Sequence, residues 1–188
     1  MARIDSKEAE QEALALAAKL MASVARTAPK TRGLDSVKTV ILTGEDLEAL
    51  AVAMEAKVDQ KAHRLPFFGR DAKNVRAADA VLLIGVTGEP KKPQDPLNCG
   101  ACGHGSCAEF IAADKNEGED YRGPLCMFQS LDLGIALGAA AKLAADLNVD
   151  NRIMYTAGAA ARKIGVLDSD VIIALPLSVS GKNPFFDR

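Results

Sequence analysis

The chain has no cysteine outside one short stretch, no long apolar run and no excess of either charge, and each shortage excludes something. With 23 Lys and Arg against 25 Asp and Glu, and a pI near 5.7, it lacks the basic surface that nucleic-acid backbones require, so no nucleic-acid partner is expected. No segment approaches the roughly 20 apolar residues of a membrane span. Met1 to Glu12 is polar and charged where a secretory signal would carry an apolar core. A cytoplasmic protein with no membrane partner is the expectation. In a reducing cytosol, clustered cysteines read as metal ligands or redox groups before they read as structural disulfides. Neither a Ser/His/Asp nor a Cys/His nucleophile arrangement is found, and no phosphate-cradling loop.

What is present suits one globular domain over residues 1–188, with 48% of its residues hydrophobic and enough length to bury a core. Asp5 reads as the N-cap of a long first helix, with Glu8 three positions on and apolar residues recurring to about Arg26. Pro29 and Gly33 end it in a basic turn whose Lys30 and Arg32 either face solvent or face an anion. Val37 to Leu42 reads as a strand, and Thr43 as the cap of a second helix that buries Leu47, Leu50, Ala51, Met54 and Val58. The stretch from His63 to Arg70 reads as a loop pinned by Phe67 and Phe68, with a cationic lip over a cofactor or partner as the alternative. Val81 to Val86 is apolar without alternation, as in a strand covered on both faces. Gln129 to Leu147 reads as a helix apolar almost all round, destined for the core or a subunit interface, with Gly134 and Gly138 allowing close backbone approach. Homo-oligomerisation is therefore expected. Thr156 to Ile164 reads as a short helix ended by Gly165, Val171 to Leu175 as a buried strand, and the tail, with two aromatics, as docked.

All four cysteines fall between Asn98 and Cys126, and three glycines are folded among them. Two residues separate Cys99 from Cys102, four separate Cys102 from Cys107, and eighteen separate Cys107 from Cys126. Thiolates select iron–sulfur clusters, zinc or copper(I). Structural zinc usually takes two paired knuckles, whereas this chain has one knuckle, a third cysteine nearby and a distant fourth, a spacing that suits a cubane. A helix from Cys107 to about Asn116 would carry the chain about 14 Å away, and the remaining residues, at most about 30 Å extended, return it easily. Gly100, Gly103 and Gly105 read as left-handed turn residues that leave amides near the sulfurs. His104 is either a solvated loop histidine or a neighbour of the metal.

Cys-x2-Cys-Gly-x3-Cys, followed by a helix and a later Cys, resembles the small four-iron domain of electron-transfer subunits in anaerobic complexes. The whole chain is similar to a family of proteins containing a ferredoxin domain, common in anaerobic bacteria and archaea. That resemblance implies one [4Fe-4S] cluster on Cys99, Cys102, Cys107 and Cys126, although Met127 stands where related motifs often have proline. The flanking halves, Ala-Arg-Thr-Ala-Pro before the first strand and Leu-Asp-Leu-Gly-Ile-Ala-Leu leading an alanine-rich helix, resemble the nitroreductase fold. An α+β body is implied, usually an intertwined dimer with FMN at its interface, carrying the cysteine segment, residues 87–128, as an insertion. The N-terminal arginine-rich signature that holds the flavin phosphate in nitroreductases is missing. The expected function is one-electron transfer in anaerobic metabolism through a redox partner protein. The alternatives are an FMN-dependent oxidoreductase fed by the cluster, with Lys30 to Arg32 and His63 to Arg70 around the flavin phosphate, and a zinc-stabilised binding module.

Overall fold

The computed structural model describes residues 3–59 and 65–186. In chain order it contains α1 (Ser6–Thr27), a 3-10 turn (Thr31–Gly33), β1 (Lys38–Leu42), α2 (Glu45–Ala56), α3 (Pro66–Arg76) and β2 (Ala80–Val86). There follow α4 (Cys107–Ala112), β3 (Asn116–Glu117), β4 (Arg122–Gly123), α5 (Met127–Asp146), β5 (Asp150–Asn151), α6 (Tyr155–Lys163) and β6 (Val171–Ser178).

Four strands form one antiparallel sheet in the order β1-β2-β6-β5, and β3 pairs only with β4. The two central strands read as apolar runs because both their faces are covered. Ala80, Leu82, Ile84 and Val86 of β2 join Leu175 and Leu177 of β6 under α1 and α5. Val81 and Leu83 join Ile172 and Ala174 under α2, α3 and α6 on the opposite face. The period-two alternation of a strand thus supplies two separate cores from one sheet, an α+β body of three layers.

Local chemistry explains the helix boundaries. Asp5 caps α1 by accepting a hydrogen bond from the Glu8 N–H at 2.9 Å, as its spacing predicts. The cap of α2 is Gly44 at φ 58, not Thr43, because the chain enters that helix through a conformation that suits glycine. Phe67 and Phe68 do not lie in a loop: Pro66 opens α3, its ring fitting the first helical turn where no amide partner is needed. Phe68 is fully buried, so the expected pinning occurs from a helix; His63 and Arg64 lie outside the described residues. The tail docks through buried Phe185, whose carbonyl accepts from Arg152 Nη1 at 3.3 Å.

One face of α5 is not buried within the chain. Met127, Leu131, Gly134, Ile135 and Gly138 follow one helical stripe and are exposed, and a Cβ at Gly134 or Gly138 would meet nothing within 4 Å. The close approach expected at these glycines does not occur within the chain.

Candidate metal centre

The four cysteines stand between the end of β2 and the start of α5, on a stretch with little regular structure. Asn98, at φ 46, turns its side chain back so that Oδ1 accepts from the Cys107 N–H at 2.9 Å, tying the two ends of the loop together. Gly100 and Gly103, at φ 73 and 86, take left-handed conformations, and the Gly103 N–H donates to Gly100 O at 3.0 Å. That tight turn carries Cys102. Gly105 is not left-handed; its N–H donates to Glu109 Oε2, while Ser106 Oγ accepts from the Glu109 N–H at 3.1 Å. Ser106 thus caps α4, which starts at Cys107, while the Glu109 carboxylate reaches one residue further back to Gly105. The helix ends at Ala112, four residues short of the expected Asn116, because Asn116 and Glu117 pair with Arg122 and Gly123 instead. Phe110 anchors α4 in the protein, and His104 sets its ring against Phe110 with centroids 5.5 Å apart.

Cys126 is placed from the other side. Its N–H donates to Gly88 O at 2.7 Å, which fixes it beside the exit of β2. A Cβ at Gly88 would fall 2.2 Å from Leu125 Cδ2 and 3.1 Å from Leu125 Cα, so only glycine permits this approach. Cys126 is also the N-cap of the 20-residue helix α5. The positive end of that helix is a favourable place for any anionic group held there.

Cys99, Cys107 and Cys126 line one pocket, together with Thr31, Arg32, Lys91 and Phe128; Cys102 is not part of its lining. The pocket is narrow, about 20 Å³. Among the described residues no three His, Cys, Asp or Glu side chains gather closely enough to hold a single metal ion. The structure thus supplies four soft donors, three of them around one pocket, and the donor type fits an iron–sulfur cluster.

Two cations on the wall, Arg32 and Lys91, come from segments well apart in the sequence. Lys91 pairs with Asp132 in a nearly dry contact, the side chains only 6% and 1% exposed, and also donates to Leu34 O. Asp132 accepts from both the N–H and the hydroxyl of Thr31 at 2.8 Å. Arg32 pairs with Asp95. Lys30 turns away and donates to Ala25 O at 2.7 Å, capping the carbonyl end of α1; burial pushes its pKa down. The basic turn therefore does face the candidate site, through Arg32. Sequence reasoning missed Lys91 and Asp132; the one available signal was a lone carboxylate in the first turns of an otherwise apolar helix.

A third missed residue is Asp170, 0% exposed at the foot of β6. It accepts from the Gly88 N–H at 3.0 Å, from Lys115 Nζ and from Arg122 Nε at 2.6 Å. Its backbone also bonds Val86 and Arg122. Burial pushes the Lys115 pKa down, but hydrogen bonds to Asp170 and Glu89 win and raise it. One carboxylate thus holds the exit of β2, the β3–β4 hairpin and the cysteine segment to the sheet.

Comparison with known proteins now places the chain. The family described as "Uncharacterized protein containing a ferredoxin domain (DUF2148)" matches residues 122–188, which include Cys126. A protein of Archaeoglobus fulgidus, named only "Uncharacterized protein", is 45% identical over 185 residues, covering 98% of this chain and 97% of its own. The chain belongs to this ferredoxin-domain family. Solved structures similar to it include nitroreductases. A nitroreductase with bound FMN from Desulfitobacterium hafniense aligns at TM-score 0.54 and 10% identity, covering 92% of this chain and 82% of its own. One in complex with FMN from Desulfovibrio desulfuricans aligns at TM-score 0.54 and 13% identity, over 92% and 78%. Nitroreductase A of Vibrio parahaemolyticus aligns at TM-score 0.54 and 12% identity, over 100% and 63%. At such identities the likeness establishes the fold, so this member of the family has a nitroreductase-like body.

Proposed function

We propose that this chain is an iron–sulfur protein that binds one [4Fe-4S] cluster on Cys99, Cys102, Cys107 and Cys126 and passes single electrons in anaerobic metabolism. Residues 87–128 are then the cluster-carrying insertion of a nitroreductase-like body. The observation that carries this reading is the placement of Cys99, Cys107 and Cys126 around one pocket lined by Arg32 and Lys91, at the positive end of α5. The ferredoxin-domain family supports the choice of metal. A bound cluster would supply a one-electron couple, and four thiolates leave no iron position open for a substrate. The chain's own residues hold the sulfurs and set one of them at the positive end of a helix.

The fold shared with FMN-bound nitroreductases favours a second reading, a flavin-dependent oxidoreductase fed by the cluster. The cations assigned to the flavin phosphate weigh against it. Lys30 is spent on the carbonyl end of α1, Arg32 on Asp95, and Arg70 on Asp71.

Anaerobic purification with iron, sulfide and flavin analysis decides between them. About four irons and four sulfides per chain, with dithionite bleaching and no flavin, is the expected result. Stoichiometric FMN would transfer the conclusion to the second reading, and zinc without sulfide would sink both. Cys126→Ala should leave an oxygen-labile three-iron or empty site; a full cluster in that variant would remove Cys126 from the ligand set.

The exposed stripe of α5, with Leu16 and Leu20 of α1 also exposed, supports self-association through this face. Sedimentation should show at least a dimer at micromolar concentration, and Ile135→Glu should yield monomers with unchanged iron content. A monomeric wild-type chain would end that proposal.

A further inference from the structure

We infer that Asp132 and Gln129 are positioning residues of the candidate metal centre: from the first turns of α5 they hold the pocket wall shared with the cysteines and balance its buried lysine. The inference rests on the cluster reading of that site. Both side chains are buried, Gln129 3% and Asp132 1% exposed, on a helix whose other buried side chains are apolar. Three residues apart, they share one helical face in the turns that follow Cys126.

Each polar atom of the two side chains has a partner in one of two segments. Asp132 Oδ1 accepts from the N–H and the hydroxyl of Thr31, and Oδ2 accepts from Lys91 Nζ. Gln129 Oε1 accepts from Ser36 Oγ at 2.6 Å, and Nε2 donates to Glu89 O at 2.7 Å. They therefore grip residues 31 and 36, which flank Arg32, and residues 89 and 91, which flank Pro90. Thr31, Arg32, Pro90 and Lys91 line the pocket with Cys99, Cys107 and Cys126. Residues 87–98 lie outside every helix and strand, and 31–33 form only a 3-10 turn, so side-chain hydrogen bonds do here what a sheet ladder does elsewhere. Burying a carboxylate and an ammonium costs more than burying apolar side chains of the same volume, so packing alone does not account for the pair. The pair also carries no net charge. With the Asp132 charge removed, the Lys91 ammonium stands uncompensated on the wall, and a positive charge there favours an added electron.

The full chain is measured metal-free by amide exchange, and then with its cluster by iron content, redox titration and EPR. In metal-free Asp132→Asn the Thr31 amide should exchange about five-fold faster, because a charged acceptor has become a neutral one. The cluster of that variant should have a raised reduction potential. Lys91→Met combined with Asp132→Asn removes both charges and should return the potential towards the wild-type value, a coupling that independent sites do not show. Gln129→Leu buries no lone charge and carries the test should Asp132→Asn fail to fold; it should alter the EPR line shape without moving the potential. Wild-type potential and line shape in Asp132→Asn and Gln129→Leu, whatever their iron content, overturn the inference, since both residues would then serve stability alone. A wild-type chain that takes up no iron sinks the cluster reading but not the grip on the wall. Unchanged exchange at Thr31 in metal-free Asp132→Asn sinks the grip itself.

Discussion

The sheet body and the cysteine segment are held by opposite means. In the body, Leu82, Leu83, Ile84, Ile172, Leu175 and Leu177 are fully buried, and apolar area does the work on both faces. Between Val86 and Met127, Phe110 is the one apolar side chain buried among the described residues. That stretch is fastened instead by named polar contacts: Asp170 with Gly88, Lys115 and Arg122; Glu117 with Arg162; Lys57 with Asp120 at 2.9 Å; and Asn98 with the Cys107 amide. Apolar packing is cooperative and non-directional, whereas a set of polar clasps can be released one at a time. A segment so fastened is expected to open at lower cost than the body.

The largest test of this contrast crosses two substitutions with two readouts. Leu83→Ala removes a fully buried side chain and should cost about 2–5 kcal/mol of global stability, seen in the denaturant midpoint, while iron per folded chain stays unchanged. Asp170→Asn should do the reverse. Breaking a fully buried pair costs about 3–5 kcal/mol, and because Lys115 and Arg122 remain partly exposed we expect roughly 2 kcal/mol, expressed as faster amide exchange over residues 87–126 and lower cluster retention. If Leu83→Ala empties the site, or Asp170→Asn lowers the global midpoint with exchange over the segment unchanged, the two regions are one cooperative unit and the contrast fails.

The same contrast explains what could be read from the sequence. The body was legible because its signals are local: the unbroken apolar run from Val81 to Val86 announced a doubly covered strand, and Asp5 with Glu8 announced the start of α1. The cysteine motif was legible as a donor set because spacing and residue type survive in one dimension. What escaped were partners distant in sequence. Lys91 meets Asp132 across 41 positions, and Asp170 reaches back 82 positions to Gly88, pairings that no local pattern encodes. The α3 error has a local cause. Pro66 read as a breaker when it opens a helix, and Pro at the first turn and Pro in a loop look alike until the residues after it are known to be helical. The shortened α4 has a tertiary one, since Asn116 and Glu117 are drawn into pairing with Arg122 and Gly123.

The smallest expected effect belongs to the outermost clasp. Glu117 reaches Arg162 from the β3–β4 hairpin, and the hydrogen bond from that guanidinium holds the Glu117 carboxyl below the usual glutamate range. A carboxylate with a lowered folded-state pKa adds stability above its unfolded value, near 4.3, and loses it as pH falls through the folded one. Between pH 7 and 5 the clasp should therefore be indifferent to pH, and below about pH 4 exchange over 116–123 should accelerate before the sheet amides respond. Glu117→Gln should abolish that acid step while changing neutral-pH exchange only slightly, since Glu117 is solvent-exposed and its charge is screened. An acid step of equal size in Glu117→Gln would assign the loosening to another carboxylate of the segment.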